Sequence, residues 1–479
     1  MIVLSAMLAF TATAQKKNKA AEKFAQTILA GDLQTHLYIV ASPEMEGRET
    51  GTEGQRKAAE YLKQQFAKIG LAPGNNGSYE QFYPLYKDTL KDAQISINGK
   101  SFSFGKDFTA ALNSINSSTM YISEVVHLGK GDTTTDIKGK AVVIAKLPTQ
   151  QEIFKLYQRQ PAVLLVVQSG IDKQPSQRSG RVYFSLYRSR MAASSIRISE
   201  EMGQMLFKED LVKAKEQTLE TKTFSTELMI SFNKEVQILS ASNILGVIEG
   251  TDKKDEWVVI SAHYDHVGII GGKIHPGADD DGSGTVGLLE LADAFTKAKA
   301  AGKGPRRNIL FLAVSGEEKG LWGSEYYSNH PVYPLEKTSL DINIDMIGRK
   351  DDKLNSVDSN NHVYLIGDDK LSSELTNYVD SINNLYIKII TDRKYNDPKD
   401  PNRLYFRSDH YNFARKGVPI IFFFDGIHKD YHKPTDTPDK INYDLYEKRT
   451  RLVFYLAWEA ANRNGMFVRD KPLADVPTR

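Results

Sequence analysis

Residues 257–265 read Trp257-Val258-Val259-Ile260-Ser261-Ala262-His263-Tyr264-Asp265. The run from Trp257 to Ala262 is short, apolar and rich in β-branched residues. That pattern predicts a strand buried on both faces. An imidazole and a carboxylate follow where the strand ends. Three further stretches repeat the form. Asn308 to Val314 leads into Gly316-Glu317-Glu318, and Leu340 to Ile344 leads into Asp345. Val418 to Phe424 precedes Asp430-Tyr431-His432. Helical spacing lies between them. Thr285 to Lys297 places Leu288, Leu291, Ala292 and Phe295 on one side, and Asp444 to Asn462 predicts a closing helix. Strand and helix in alternation predict an α/β fold: a mostly parallel mixed sheet covered by helices on both faces.

Working outward, Val363 to Gly367 predicts another strand and Leu371 to Ile382 another helix. Toward the N-terminus, Ala20 to Ala30 is a short helix. Gln55 to Ile69 is a longer one, with Ala58, Ala59, Leu62, Phe66 and Ile69 on one face and Gly70 as its stop. Residues 108–235 differ. Lys140 to Leu147, Ala162 to Gln168 and Phe224 to Phe232 are strand-like, with few strong helices between, so a β-rich insertion is expected. Asp392 to Asn402 is a polar loop. The resulting division places the main domain at 20–107 and 236–466, the insertion at 108–235 and a C-terminal tail at 467–479.

Ile2 to Phe10 is almost wholly apolar and is followed by Ala12-Thr13-Ala14. A short apolar stretch closed by small residues reads as a signal peptide over residues 1–14. An exported protein, periplasmic or extracellular, is the expectation. No later run approaches the roughly 20 apolar residues of a membrane helix, so stable membrane insertion is not expected. The 62 basic and 60 acidic side chains nearly cancel, which argues against a nucleic-acid partner. The chain has no cysteine, which excludes disulfides and thiolate chemistry. Any metal must be held by His, Asp and Glu.

Those residues collect at the predicted strand ends, where open α/β sheets bind ligands. Gly277-Ala278-Asp279-Asp280-Asp281-Gly282 joins them just before a helix. Three carboxylates and two imidazoles in one pocket would repel and desolvate badly without a cation. Nitrogen and oxygen donors without sulfur suit Zn(II), with Co(II) or Mn(II) as substitutes. Five such groups exceed one open catalytic site and suffice for two ions sharing a carboxylate.

Several motifs carry a family resemblance. They are Ser42-Pro43-Glu44-Met45-Glu46-Gly47-Arg48 with Gly51 and Gly54, then Ala262-His263-Tyr264-Asp265-His266-Val267-Gly268 and Pro276-Gly277-Ala278-Asp279-Asp280. Gly316-Glu317-Glu318-Lys319-Gly320-Leu321 and Ser408-Asp409-His410 follow. In that order they resemble the M28 family of metallopeptidases, the clan of two-zinc aminopeptidases. The insertion resembles a protease-associated (PA) domain. The resemblance implies His263, Asp280, Glu318, Asp345 and His432 as ligands of two zinc ions, with Asp280 bridging. It implies Glu317 as general base, Asp265 as orienter of His263, and Tyr405 near the substrate carbonyl. His432 is preferred over His428 by the Tyr-His-x-Pro-x-Asp-Thr pattern. His266, His275 and His410 are expected to support the site or the fold.

The implied activity is hydrolysis of peptide or protein substrates, as an aminopeptidase. Alternatives are a dipeptidase, a carboxypeptidase using Arg349, Arg403 or Arg407, a glutaminyl cyclase, and a receptor-like module without catalysis. No Gly-x-Ser-x-Gly elbow and no His-Glu-x-x-His helix is present, which argues against a serine hydrolase and against a single-zinc helix motif. Oligomeric state is not legible.

Overall fold

A computed structural model describes residues 16–173, 177–185, 194–354 and 358–472. The expected signal peptide and the end of the tail lie outside the described residues. The chain divides into two compact units, one of Met1–Tyr83 with Ser240–Arg479 and one of Pro84–Leu239.

The first unit carries a mixed sheet. Its order runs Ile390–Asp392, His362–Ile366, Ile420–Phe424, Thr338–Ile344, Lys253–His263, Arg307–Val314, then the end of the strand Lys222–Ile248. The four strands from Ile420–Phe424 to Arg307–Val314 are mutually parallel. His362–Ile366 and the Ile244–Ile248 segment flank them antiparallel. The central strands are buried on both faces, which is why they read as continuous apolar runs rather than alternating ones. Val258, Ile260 and Ala262 pack on the helices Glu53–Ile69, Gly284–Ala300 and Tyr443–Asn462. Val259, Leu310 and Leu312 face the opposite way, toward Tyr327 and Phe413.

Chain order places the site. From Lys253–His263 the chain moves through Gly284–Ala300 to Arg307–Val314 on one side. It then moves through Trp322–Asn329 to Thr338–Ile344 on the other. Loops leaving the carboxyl ends of these strands therefore diverge and leave a crevice between them.

Several boundaries depart from the sequence reading. The stretch expected as one helix to Ala30 is two, Lys19–Ala25 and Ala30–Val40. The helix expected from Leu371 begins at Leu375. Ser373 is held instead by Asp470, whose carboxylate accepts its backbone N–H at 2.8 Å. The tail is anchored at its start, where Phe467 is buried and its N–H donates to Ser339 Oγ at 3.1 Å.

The second unit begins at Pro84 rather than 108, because a single strand runs through Glu80–Ile97. Its strands Ser118–His127, Ala141–Ile144, Val163–Val167 and Ser194–Ile198 lie side by side and parallel, around Val143, Leu165 and Ile196. It holds more helix than its sequence suggests. Gln150–Gln158 starts at a capping box in which Thr149 and Glu152 exchange hydrogen bonds.

Candidate metal centre

The four parallel strands end in the groups that matter. His263 is the last residue of its strand, Asp345 follows Ile344 directly, and Glu317 and Glu318 lie just past Val314. Asp280 precedes the helix Gly284–Ala300, and His432 sits on the loop after Ile420–Phe424.

These side chains converge. His263 Nε2 lies 3.5 Å from Asp280 Oδ1 and 3.5 Å from Asp345 Oδ1. His432 Nε2 lies 3.0 Å from Asp280 Oδ2 and 3.1 Å from Glu318 Oε2. Asp280 thus offers one oxygen to each of two donor sets. At zinc bond lengths of about 2.0–2.2 Å, neighbouring tetrahedral donors stand roughly 3.3–3.6 Å apart, close to these separations. His263 Nε2, Asp280 Oδ2, Glu318 Oε1 and His432 Nε2 are buried without a hydrogen-bond partner. Each such atom costs about 1–3 kcal/mol if left unsatisfied, and a shared cation satisfies them together. The residues present fit zinc.

Burial would raise the Asp280 carboxyl, but the imidazoles of His263 and His432 outweigh it and hold it well below its usual range. Glu317 goes the other way. Burial, with Glu318 and Asp345 nearby, pushes its carboxyl well above the ordinary value. A carboxyl that must both take and return a proton is served by such a shift.

The supporting groups explain why Asp280 is the aspartate that faces the donors. Asp279 Oδ1 accepts the N–H of Gly348 at 2.7 Å, and His428 Nε2 lies 3.2 Å from its other oxygen. Asp281 accepts three backbone N–H groups, from Gly284 at 2.7 Å, Met346 at 3.0 Å and His263 at 3.2 Å. It shares a cluster with His263 and Asp345, yet its oxygens are already engaged. Both flanking aspartates therefore clamp loops. His428 pairs with Asp279 and leaves His432 for the donor set.

Asp265 holds His263 through its main chain. His263 Nδ1 donates to the Asp265 carbonyl at 3.1 Å, while the carboxylate stands 3.8 Å away. That bond leaves Nε2 as the free lone pair. The Asp265 carboxylate instead accepts from Thr50 Oγ1 at 2.7 Å and from the Glu317 N–H at 3.2 Å. It ties the base to the strand that carries His263.

Tyr405 is not brought to the donors. Its ring packs against Phe406, His410 and Tyr411. Its hydroxyl is buried without a partner, and it does not line the cavity of about 30 Å³ that opens on Asp280, Glu317 and Asp345. Tyr431 lines that cavity, stacked on His432 with ring centres 3.9 Å apart. His410 Nε2 donates to the Tyr405 carbonyl at 2.9 Å, and burial pushes the imidazole down to about 3. It is a neutral structural group.

Arg48 and Asp436 carried no role in the sequence reading, and His266 only a supporting one. Arg48, fully buried, donates to the carbonyls of Tyr264 (2.8 Å), Val40 (2.8 Å), Pro276 (2.6 Å) and Gly277 (2.9 Å). It thereby joins the loops bearing His263 and Asp280. Burial lowers its pKa, and Asp265, Asp281 and Asp280 oppose that shift. Asp436 accepts the N–H groups of Asp279 at 3.0 Å and Asp280 at 3.2 Å. His266 Nδ1 lies 2.8 Å from Glu318 Oε1, the oxygen that His432 does not face. The place of Arg48 at the end of the motif Ser42–Arg48 was its available signal. Asp436 and His266 lie inside such motifs, which was their only signal.

Two half-sets of imidazole and carboxylate, sharing one aspartate, thus stand at the carboxyl edge of a parallel sheet. Residues 243–457 match Peptidase family M28. It is 30% identical to Leucine aminopeptidase 1 of Sclerotinia sclerotiorum over 232 residues, 46% of this chain and 56% of that protein. It is 26% identical to Aminopeptidase YwaD of Bacillus subtilis over 268 residues, 53% of this chain and 50% of the other. The chain thus spans about half the length of the curated relatives it matches. The fold is similar to that of an aminopeptidase from Aneurinibacillus sp. strain AM-1, with TM-score 0.55 and 18% identity over 94% of this chain and 98% of that one. It is also similar to BSAP, a zinc aminopeptidase from Bacillus subtilis, with TM-score 0.52 and 19% identity over 93% and 99%.

Proposed function

We propose that the chain is a zinc-dependent aminopeptidase that uses two metal ions. The observation that carries this reading is the gathering of His263, Asp280, Glu318, Asp345 and His432 with Glu317 in the same crevice. The aminopeptidase names of the curated relatives support the substrate end of the reaction. Zinc, when bound, supplies Lewis acidity that polarises the scissile carbonyl and lowers the pKa of water.

The chain's own residues do the rest. Glu317 takes the proton of the attacking water at its carboxylate and returns it to the leaving amine. Asp265, through the Glu317 N–H, and His263, through the Asp265 carbonyl, keep base and donors in register. Tyr431 presents a hydroxyl at the cavity wall, suited to donate to a developing oxyanion.

A panel of free, N-blocked and C-blocked peptides, run with metal analysis of the purified protein, tests this. Cleavage restricted to peptides with a free N-terminus is expected. Equal cleavage of N-blocked peptides would overturn the aminopeptidase reading.

The proposal extends to location. The apolar stretch Ile2–Phe10 and the small residues Ala12 to Ala14 support export to the periplasm or the medium. Sequencing the N-terminus of the mature protein tests it, with a start shortly after Ala14 expected and retention of Met1 contradicting it.

A further inference from the structure

The cavity beside the donors has an uneven wall. Leu404, Phe422, Phe424 and Ile427 make it apolar, and Arg407 brings a positive charge into it. Arg407 Nη2 donates to Tyr431 Oη at 2.9 Å, and its guanidinium stands 5.8 Å from that ring's centre. This leaves most of the five N–H donors of a guanidinium uncommitted. Two other arginines are held otherwise. Arg349 pairs with Asp430 at 3.1 Å, and Arg393 pairs with Asp368 at 2.8 Å and Asp380 at 2.7 Å. None of the ion pairs among the described residues includes Arg407.

A half-buried guanidinium against aromatic and aliphatic walls is poorly solvated. An anion arriving there gains a charge-assisted, bidentate partner in a medium of low dielectric. The methylenes of an acidic side chain would lie along Leu404 and Phe422.

We propose that Arg407 makes this centre selective for peptides whose N-terminal residue is acidic, glutamate or aspartate. The side-chain carboxylate of such a residue pairs with the guanidinium. The inference rests on the aminopeptidase reading and adds a substrate class to it.

The test uses the zinc-loaded full chain with p-nitroanilides of glutamate, glutamine and leucine. In parallel, calorimetry measures binding of the three free amino acids. Glutamate and glutamine are nearly isosteric, so their ratio isolates the charge. In the wild type the glutamate anilide should exceed the glutamine anilide at least tenfold in kcat/KM, and should exceed the leucine anilide. Arg407→Gln should bring the glutamate-to-glutamine ratio near one, and Arg407→Lys should keep part of it. Free glutamate should bind more tightly than free glutamine to the wild type, and no more tightly to Arg407→Gln. Preference for leucine, or an unchanged ratio in Arg407→Gln, overturns the proposal. Turnover of no anilide overturns the aminopeptidase reading, and calorimetry still decides the role of Arg407. If Arg407→Gln does not fold, the wild-type glutamate-to-glutamine comparison stands alone, and a ratio near one sinks the idea.

Discussion

At the scale of single residues, the division of labour between adjacent acids makes sharp demands. Glu318 faces His432 and His266 through different oxygens, whereas Glu317 faces the cavity. Glu317→Gln should keep its zinc and lose about 10²–10⁴-fold in kcat, the usual worth of a general base. Metal analysis beside steady-state kinetics checks both halves. Loss of zinc in that variant would mean the two glutamates have exchanged roles. Arg48 makes a different demand. Three of its four carbonyl partners are buried with it and the fourth partly so, so Arg48→Met should cost about 3 kcal/mol or more in urea unfolding, since buried acceptors lose their donors. That His, Asp and Glu would gather at the strand ends was legible from sequence, whereas the choice of individual ligands came only from the family resemblance. Tyr405 was not. Its distance from Ser408-Asp409-His410 along the chain says nothing of which way its ring turns. Tyr431 takes the wall because it is stacked on His432.

At the scale of elements, the central strands were legible because burial on both faces leaves unbroken apolar runs. The helix Ala30–Val40 was not, because it has a weak N-terminus without a side-chain cap and follows closely on another helix. The junction between Asp281 and the helix Gly284–Ala300 is close-packed. A Cβ at Gly284 would overlap the Asp281 carboxylate and the Ile344 carbonyl. Gly284→Ala should therefore displace the Asp280–Asp281 turn and weaken zinc binding by tenfold or more, read by competition with a chromogenic chelator. Further along that helix, burial raises the Glu290 carboxyl to about 8, from an ordinary 4.5, with Asp32 and Asp293 adding and Lys297 opposing. His36 stands 3.7 Å away and is itself lowered by burial. Folding here favours the protonated acid, so this group's stabilisation is full below about 4.5 and is lost as pH rises toward about 8. Glu290→Gln should gain several kcal/mol over the wild type at pH 8, each unit of displacement being worth about 1.4 kcal/mol, and little at pH 4. Denaturant midpoints at the two pH values check it, and an equal gain at both would contradict the assignment.

At the scale of the whole molecule, the α/β architecture and the inserted unit were both visible in the alternation of patterns. The insertion's edges were not, since they fall inside the long strands Glu80–Ile97 and Lys222–Ile248, where periodicity does not change. Stability should be linked to metal, because the donors come from segments far apart in sequence and an ion binding only the folded state stabilises it by mass action. At a thousandfold excess over the dissociation constant the gain is about 4 kcal/mol, so chelation should lower the melting temperature and zinc should restore it. The most direct measurement is a crystal structure of the zinc-loaded protein with anomalous data at the zinc edge. Two peaks are predicted, one among His263, Asp280 and Asp345 and the other among Asp280, Glu318 and His432. A single peak, or zinc bound away from Asp280, would contradict a centre in which one aspartate joins two ions.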